Sequence, residues 1–437
     1  MNRFFYAIVF LFFATYCQAQ DKETQSKIKY YSEKATRYLD KQKALSAFYS
    51  IDKEGIKMYA SAKDKQNKLI EFSIGWDKLN EYKKELNTCN QDEVFKTYTQ
   101  GKYQHNPLCE NTPAPTVILN NTHSSKKLQG LKIAIDAGHT AGNIEMGQVE
   151  SKCLKFNCID ANGLKDSIEI VEGMLTFATA KLLKEKLEAE GATVFLTRPF
   201  NGSTAFGITF DDWLKKNYTA TVDNLYQRKK INLEKKNWLL SSKATKRDKF
   251  RLVFKDLELQ KRAEIINNYH PDFTIIIHYN VDETNTGWTK PGIKNYSMAF
   301  VGGAFMKSDL SSAEKRFEFL RLLVSDDLEK SILLSSSVLT CFQKQLNVPA
   351  AKINDANYLY EGCIAATSDG VYCRNLQLTR YIHSPLIYGE TLYQDNITEC
   401  KRLTQEFDKT KNVRLQQIAK AYYDGILNYC LTNTAVK

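Results

Sequence analysis

The chain has 437 residues, 43% of them hydrophobic and 25% charged, with only 8 Pro and 20 Gly, a balance that excludes a disordered or collagen-like polymer. A mean hydropathy of −0.43 excludes a polytopic membrane protein. At roughly 150 residues per domain the length predicts two or three domains, each able to bury a core, and the formal charge of +11 favours anionic partners.

Residues 1–20 read as a signal peptide. Arg3 supplies the positive charge, Phe4 to Ala14 form an apolar run of eleven residues, and Cys17-Gln18-Ala19 offers small residues for cleavage after Ala19. The run is too short for a hydrocarbon core of about 30 Å, so no stable membrane span is expected. Cys17 raises lipid attachment as an alternative, but Tyr16 stands where a small residue is wanted. The mature chain is thus expected to be exported, periplasmic or extracellular. Beyond Cys17, nine cysteines remain. Cys153–Cys158 and Cys363–Cys373 are conceivable local disulfides in an oxidising compartment, though sequence leaves the pairing open. No CxxC occurs, which argues against thiolate zinc sites and dithiol redox chemistry.

Residues 21–110 are rich in Lys, Tyr and Glu, and Ile28, Tyr31, Ala35 and Tyr38 share one helix face. This predicts a small helical N-terminal region whose aromatic stripe serves a core rather than a sugar platform. Residues 111–128 lack periodicity and collect Asn, Thr, Ser and Pro, the composition of a linker.

From 129 to 437 the pattern changes. Leu131–Asp136 is a short apolar run, hence a buried strand. Glu169–Glu190 carries apolar residues at helical spacing and stops at Gly191. Thr193–Thr197 reads as a strand, Glu258–Asn268 as a helix, and Phe273–His278 as another buried strand. Alternation of this kind predicts an α/β fold, a twisted, mostly parallel sheet with helices on both faces. Ligands bind beyond the carboxyl ends of such strands. Both His139 and His278 fall there.

A lone histidine is usually a hydrogen-bonded structural residue. Here His139 follows a strand and a Gly138 turn, His278 ends the most apolar strand, and Glu172 stands near the start of the intervening helix. Two imidazoles and a carboxylate leave one tetrahedral position of zinc open to water, the arrangement of hydrolytic zinc sites. The three residues share no local motif, so spacing alone carries little.

Ile133-Ala-Ile-Asp-Ala-Gly-His139 resembles the opening motif of the zinc-dependent N-acetylmuramoyl-L-alanine amidases, the amidase-3 type of peptidoglycan hydrolase. In that family a Glu lies about nineteen residues before the Gly that ends its helix; counting back from Gly191 selects Glu172 over Glu169. Val194–Arg198 resembles the family's strand ending in Thr-Arg. Arg262–Asn267, Asp272 and Ile275–Asn280 resemble its Arg…Asn…Asp…Ile-His-x-Asn block. Pro385–Glu390 with Asn396 and Glu399 resembles the last strand, and Ile418–Ile426 the closing helix. The resemblance implies one zinc ion bound by His139, Glu172 and His278, with Glu390 as general base. Glu390 has a plainer alternative as a helix-capping acid at a strand end. Arg198, Arg262, Asp136, Asn280 and Asn396 are expected to be structural or to support the ligands.

The chain departs from the family in four places. Its turn reads Gly-His-Thr-Ala-Gly142 where Gly-His-Gly-Gly is common, Thr-Leu-Tyr follows Glu390, and insertions fall at about 200–257 and 285–370. Residues 200–261 hold 14 Lys+Arg against 7 Asp+Glu. A solvated helical pair accounts for that charge, and guidance of anionic wall material is the alternative. The expected function is hydrolysis of the amide between N-acetylmuramic acid and L-alanine in peptidoglycan; the rival is an inactive peptidoglycan-binding envelope protein on the same fold. Peptidoglycan is the expected partner, with room for a regulatory envelope protein and none for nucleic acid.

Overall fold

The computed structural model of the protein describes residues 21–106, 126–159, 165–406 and 408–434. The expected signal peptide and most of the 111–128 linker lie outside the described residues. The chain forms two compact units. One runs through Ala114 and takes in Gly302–Asp326 and Gly362–Ile364; the other holds the rest. No described helix is long and apolar enough to cross a membrane.

In the first unit, residues 21–34 are helical. Tyr31 and Ala35 are buried, and the Tyr31 ring stacks on Trp76 at 5.8 Å. The aromatic stripe is therefore core. Helical periodicity gave no hint of the antiparallel meander of β1 (Tyr49–Asp52), β2 (Gly55–Met58) and β3 (Phe72–Gly75) beside the helices. Helix Ala313–Val324, from the second insertion, belongs to this unit, and its Arg316 grips Glu71 through two 2.6 Å contacts. That part of the insertion completes a core rather than decorating a loop.

The second unit is built on β4 (Lys132–Ala137), β7 (Thr193–Leu196), β8 (Phe273–Asn280), β9 (Met298–Val301), β10 (Ile364–Ala365, of which Ala365 belongs to this unit), β11 (Val371–Cys373) and β12 (Leu386–Tyr393), in the order β10-β11-β9-β12-β8-β4-β7. β4, β7, β8 and β12 are mutually parallel, while β12 meets β9 antiparallel. β4 and β8 are buried almost throughout, as strands covered on both faces must be. Helices Glu172–Ala189, Asp327–Cys341 and Val413–Thr434 pack together on one face. Lys255–Tyr269 and Gln377–Tyr381 cover the other, where Ala134, Ile266, Ile276 and Leu378 form one cluster.

The long helix starts later than periodicity suggested. Residues 165–171 form β6, which pairs with β5 (Cys153–Ile159), so Glu169 faces Lys155 across a hairpin and Glu172 opens the helix. Cys153 and Cys158 stand five positions apart on β5, about 16 Å at strand rise, beyond disulfide reach; both are thiols. Cys363 and Cys373 are buried thiols as well. The first insertion forms helices Phe210–Gln227 and Leu233–Leu240 with a core of its own, in which Phe210, Trp213, Leu239 and Phe254 pack against Ala141, Met146 and Val171. It thereby braces the segments on either side of His139 and Glu172.

Candidate metal centre

Three elements deliver the site. β4 ends at Ala137, and Gly138 donates its backbone N–H to Ile277 O on β8 at 3.0 Å. A Cβ at Gly138 would sit 2.6 Å from His278 Nδ1, closer than real contacts allow, so only glycine lets the turn lie on that ring. The chain then reverses at His139, whose φ of 61° is left-handed. Gly173 performs a similar task one residue past Glu172: a Cβ there would lie 2.9 Å from Ala141 N. His278 sits near the end of β8, directly opposite Glu390 on parallel β12. Partners in register share a face, so the imidazole and the carboxylate are neighbours.

The predicted residues converge. His139 Nε2 lies 3.1 Å from Glu172 Oε2, and His278 Nδ1 lies 3.2 Å from Glu172 Oε1. One donor atom from each of the three falls within 4.8 Å of the others. Zinc bonds of about 2.0–2.2 Å give tetrahedral edges near ~3.3 Å, and each imidazole nitrogen stands at close to that distance from one oxygen of Glu172. His139 Nε2 and Glu172 Oε2 are buried and, though close, form no aligned hydrogen bond. Buried donor atoms rarely go unsatisfied, and a shared cation would satisfy both. The residues fit zinc.

Electrostatics calls for a positive charge here: burial works against a charged His139, yet the Glu172 carboxylate outweighs it and raises that ring. Burial pushes His278 down to about 4, keeping the neutral imidazole that ligates. Burial also works against the Glu172 charge, yet the cations of His139 and Lys152 hold that carboxyl well below its ordinary range. Glu390 is pushed up to about 7, first by burial and then by repulsion from Glu172. Two nearby carboxylates with opposed shifts are the signature of divided roles, one a standing anion and one able to exchange a proton.

The surroundings explain the remaining motif residues. Arg198 Nε donates to Ala137 O at 2.9 Å and its Nη2 to Gly173 O at 3.0 Å, tying the His139 turn to the Glu172 helix. Arg262 bonds Asp136 (3.0 Å), Glu258 (3.0 Å), Ala137 O (2.8 Å) and His139 O (2.7 Å) from a fully buried position. Asn280 donates to the Tyr358 hydroxyl at 2.7 Å. Asn396 caps helix Ile397–Thr404 through Thr398 and Glu399 N–H groups. Beside it, Asp395 accepts from Asn285 Nδ2 at 2.9 Å and from Asp282 N at 3.2 Å, which pins the segment after β8 over the site.

Sequence reasoning missed Glu150, Lys152 and Trp288. Glu150, its side chain 2% exposed, stands 3.3 Å from His139 Nδ1 and accepts from both Thr140 N (2.8 Å) and the Thr140 hydroxyl. The signal was the Thr that replaces Gly after His139: a buried hydroxyl needs a partner. Lys152 places its ammonium 3.4 Å from Glu172 Oε2 and 4.7 Å from the Trp288 ring centroid. Lys152 and Trp288, together with His139, Glu172, His278 and Glu390, line a cavity of about 260 Å³.

Comparison with known proteins adds a family. The family described as N-acetylmuramoyl-L-alanine amidase, amidase-3, matches residues 133–428. Similar solved structures include the CwlD amidase of Clostridioides difficile in complex with the GerS lipoprotein, 18% identical over 70% of this chain and 100% of that one, with a TM-score of 0.35. The apo Ami1 N-acetylmuramyl-L-alanine amidase of Mycobacterium abscessus is 15% identical over 69% and 99%, TM-score 0.35. The AmiC2 amidase of Nostoc punctiforme is 15% identical over 70% and 98%, TM-score 0.34. No curated protein matches the chain.

Proposed function

Because the chain belongs to the amidase-3 family of N-acetylmuramoyl-L-alanine amidases, we propose that it is an exported zinc hydrolase that cleaves the amide between the lactyl group of N-acetylmuramic acid and L-alanine in peptidoglycan. His139, Glu172 and His278 hold the ion, and Glu390 is the catalytic acid/base. The observation that carries this reading is the meeting of those three donors within 4.8 Å, with Glu390 opposite His278 on the adjoining strand. Export follows from residues 1–20 and belongs to the same proposal.

When bound, zinc polarises a carbonyl and lowers the pKa of water to roughly 7, which supplies a nucleophile at neutral pH. This chain's own groups do the rest. Glu390 takes the proton of the attacking water on its carboxylate. As the C–N bond breaks, it returns that proton to the departing L-alanine nitrogen, leaving a free amine and a lactyl carboxylate. A carboxyl that titrates near neutrality suits both transfers. Glu150 sets its carboxylate beside His139 Nδ1, leaving Nε2 for the shared space. Lys152 sets a positive charge against Glu172 and Glu390, and with Trp288 narrows the entrance.

The test is digestion of purified peptidoglycan with product analysis by mass spectrometry. Free L-alanine amines with intact glycan strands are expected; new reducing sugar ends would refute the assigned bond. Chelation should abolish release, as should Glu390→Gln with zinc retained. Wall binding without any release would favour the inactive binding protein instead.

A further inference from the structure

The N-terminal unit holds a second convergence of metal-type donors. Helix Leu79–Thr88 carries Glu81 and Glu85 one turn apart, so both carboxylates lie on one face. Tyr103 packs its ring on Tyr82 at 5.0 Å, and the chain beyond it brings His105 Nδ1 to 2.7 Å from Glu81 Oε1 and 2.9 Å from Glu85 Oε1. These three donor atoms form the only other such group among the described residues.

An ordinary ion pair explains this poorly. Nδ1 of an imidazole carries at most one hydrogen, and two carboxylate oxygens compete for it. Two carboxylates drawn to one nitrogen also repel each other, at a depth where the Glu85 side chain is 3% exposed. The backbone N–H of Asn106 occupies Glu85 Oε1 at 2.8 Å. The other oxygen, Oε2, is buried and makes no aligned hydrogen bond, with the Tyr103 hydroxyl beside the carboxyl. A buried ionised carboxylate with an unsatisfied oxygen is costly. A divalent ion among the three side chains ends the contest for one proton and balances both carboxylates.

We propose that Glu81, Glu85 and His105 form a structural divalent-metal site of the zinc class. An imidazole beside two carboxylates suits zinc better than magnesium or calcium, which prefer all-oxygen sets. Glu81 and His105 are 29% and 35% exposed, so a water can complete the fourth position. The ion would fasten residues 103–106 to helix Leu79–Thr88, beside the disulfide-bonded Cys89 that follows the helix. This site is independent of the proposed catalytic centre.

Metal content of the full-length chain, stripped by chelator, reloaded with zinc and measured by plasma mass spectrometry, tests it. The wild type is expected to retain about two ions and a His139→Ala/His278→Ala variant about one. Adding Glu81→Gln and His105→Gln to that variant should remove the last ion. Far-UV circular dichroism checks that each variant is folded, and the partly exposed Glu81→Gln alone, which should weaken the second equivalent at least tenfold, serves where the combined variant is not. A wild type with one ion that His139→Ala/His278→Ala removes overturns the inference and leaves the catalytic reading intact. A second ion indifferent to Glu81→Gln and His105→Gln also overturns it. One ion that survives His139→Ala/His278→Ala but not Glu81→Gln with His105→Gln supports this site and counts against the catalytic one.

Discussion

Arg262→Met should be among the most damaging single substitutions outside the proposed ligands. Arg262 is 2% exposed and neutralises Asp136 and Glu258 while donating to the carbonyls of Ala137 and His139. Methionine approximates its length but supplies no charge and no donor. Asp136, fully buried, would keep only the Thr197 hydroxyl, and Glu258 only the Ala205 N–H. Removing one partner of a buried ion pair costs about 3–5 kcal/mol, and the two orphaned carbonyls push the expectation toward the upper end, about 4–5 kcal/mol at pH 8. The sign of the pH dependence follows from Glu258. Burial already raises that carboxyl above its ordinary value, with Arg262 pulling the other way. Without Arg262 it rises further. An acid raised in the folded state loses stability as pH climbs from its unfolded value through its folded one, so the deficit should grow from pH 5 to pH 8. Urea unfolding followed by tryptophan fluorescence measures it, since Trp213, Trp238 and Trp288 all report on this unit. Arg262→Lys should fall between, because one ammonium cannot reach four acceptors. A Met variant within about 1 kcal/mol of wild type, or a deficit equal at pH 5 and pH 8, would refute the reasoning.

Three further outcomes are expected. Gly138→Ala drives a methyl into the His278 ring, which lies flat on Tyr388 at 4.5 Å and has little room to swing; zinc affinity should fall more than about tenfold, and calorimetric titration giving wild-type affinity would contradict this. Glu150→Ala removes the acceptor beside His139 Nδ1 and should weaken zinc by about 10–100-fold, read by competition with a chromogenic chelator; unchanged affinity would mean His139 is held by its turn alone. In metal-stripped protein, Glu390→Gln should stabilise the fold at pH 8 by up to about 3 kcal/mol, because a carboxyl held at about 7 in place of 4.5 penalises the ionised folded state. That gain should vanish below pH 4.5 and shrink when zinc is restored. Thermal melts across pH report it, and a gain that persists at pH 4 would show a cause other than ionisation.

What could be read from the residue order is what short-range patterns encode. A glycine turn after an apolar run located His139 and an uninterrupted apolar run located His278, while the choice of Glu172 over Glu169 came from the family resemblance. Hydrophobic periodicity along one stretch of chain depends on neighbours a few positions away, so the alternating strands and helices were also visible. The three-dimensional packing decided the rest. That Glu150 and Lys152 enter the centre depends on how the β5–β6 hairpin and helix Ile144–Glu150 fold back, and no local pattern records it. That helix Ala313–Val324 joins the N-terminal unit is settled by Arg316 meeting Glu71, 245 residues away. Glu81, Glu85 and His105 meet only because a returning segment brings the imidazole between the carboxylates. Contacts between distant segments are selected by shape and by satisfied charge in the collapsed chain, which a linear reading does not contain.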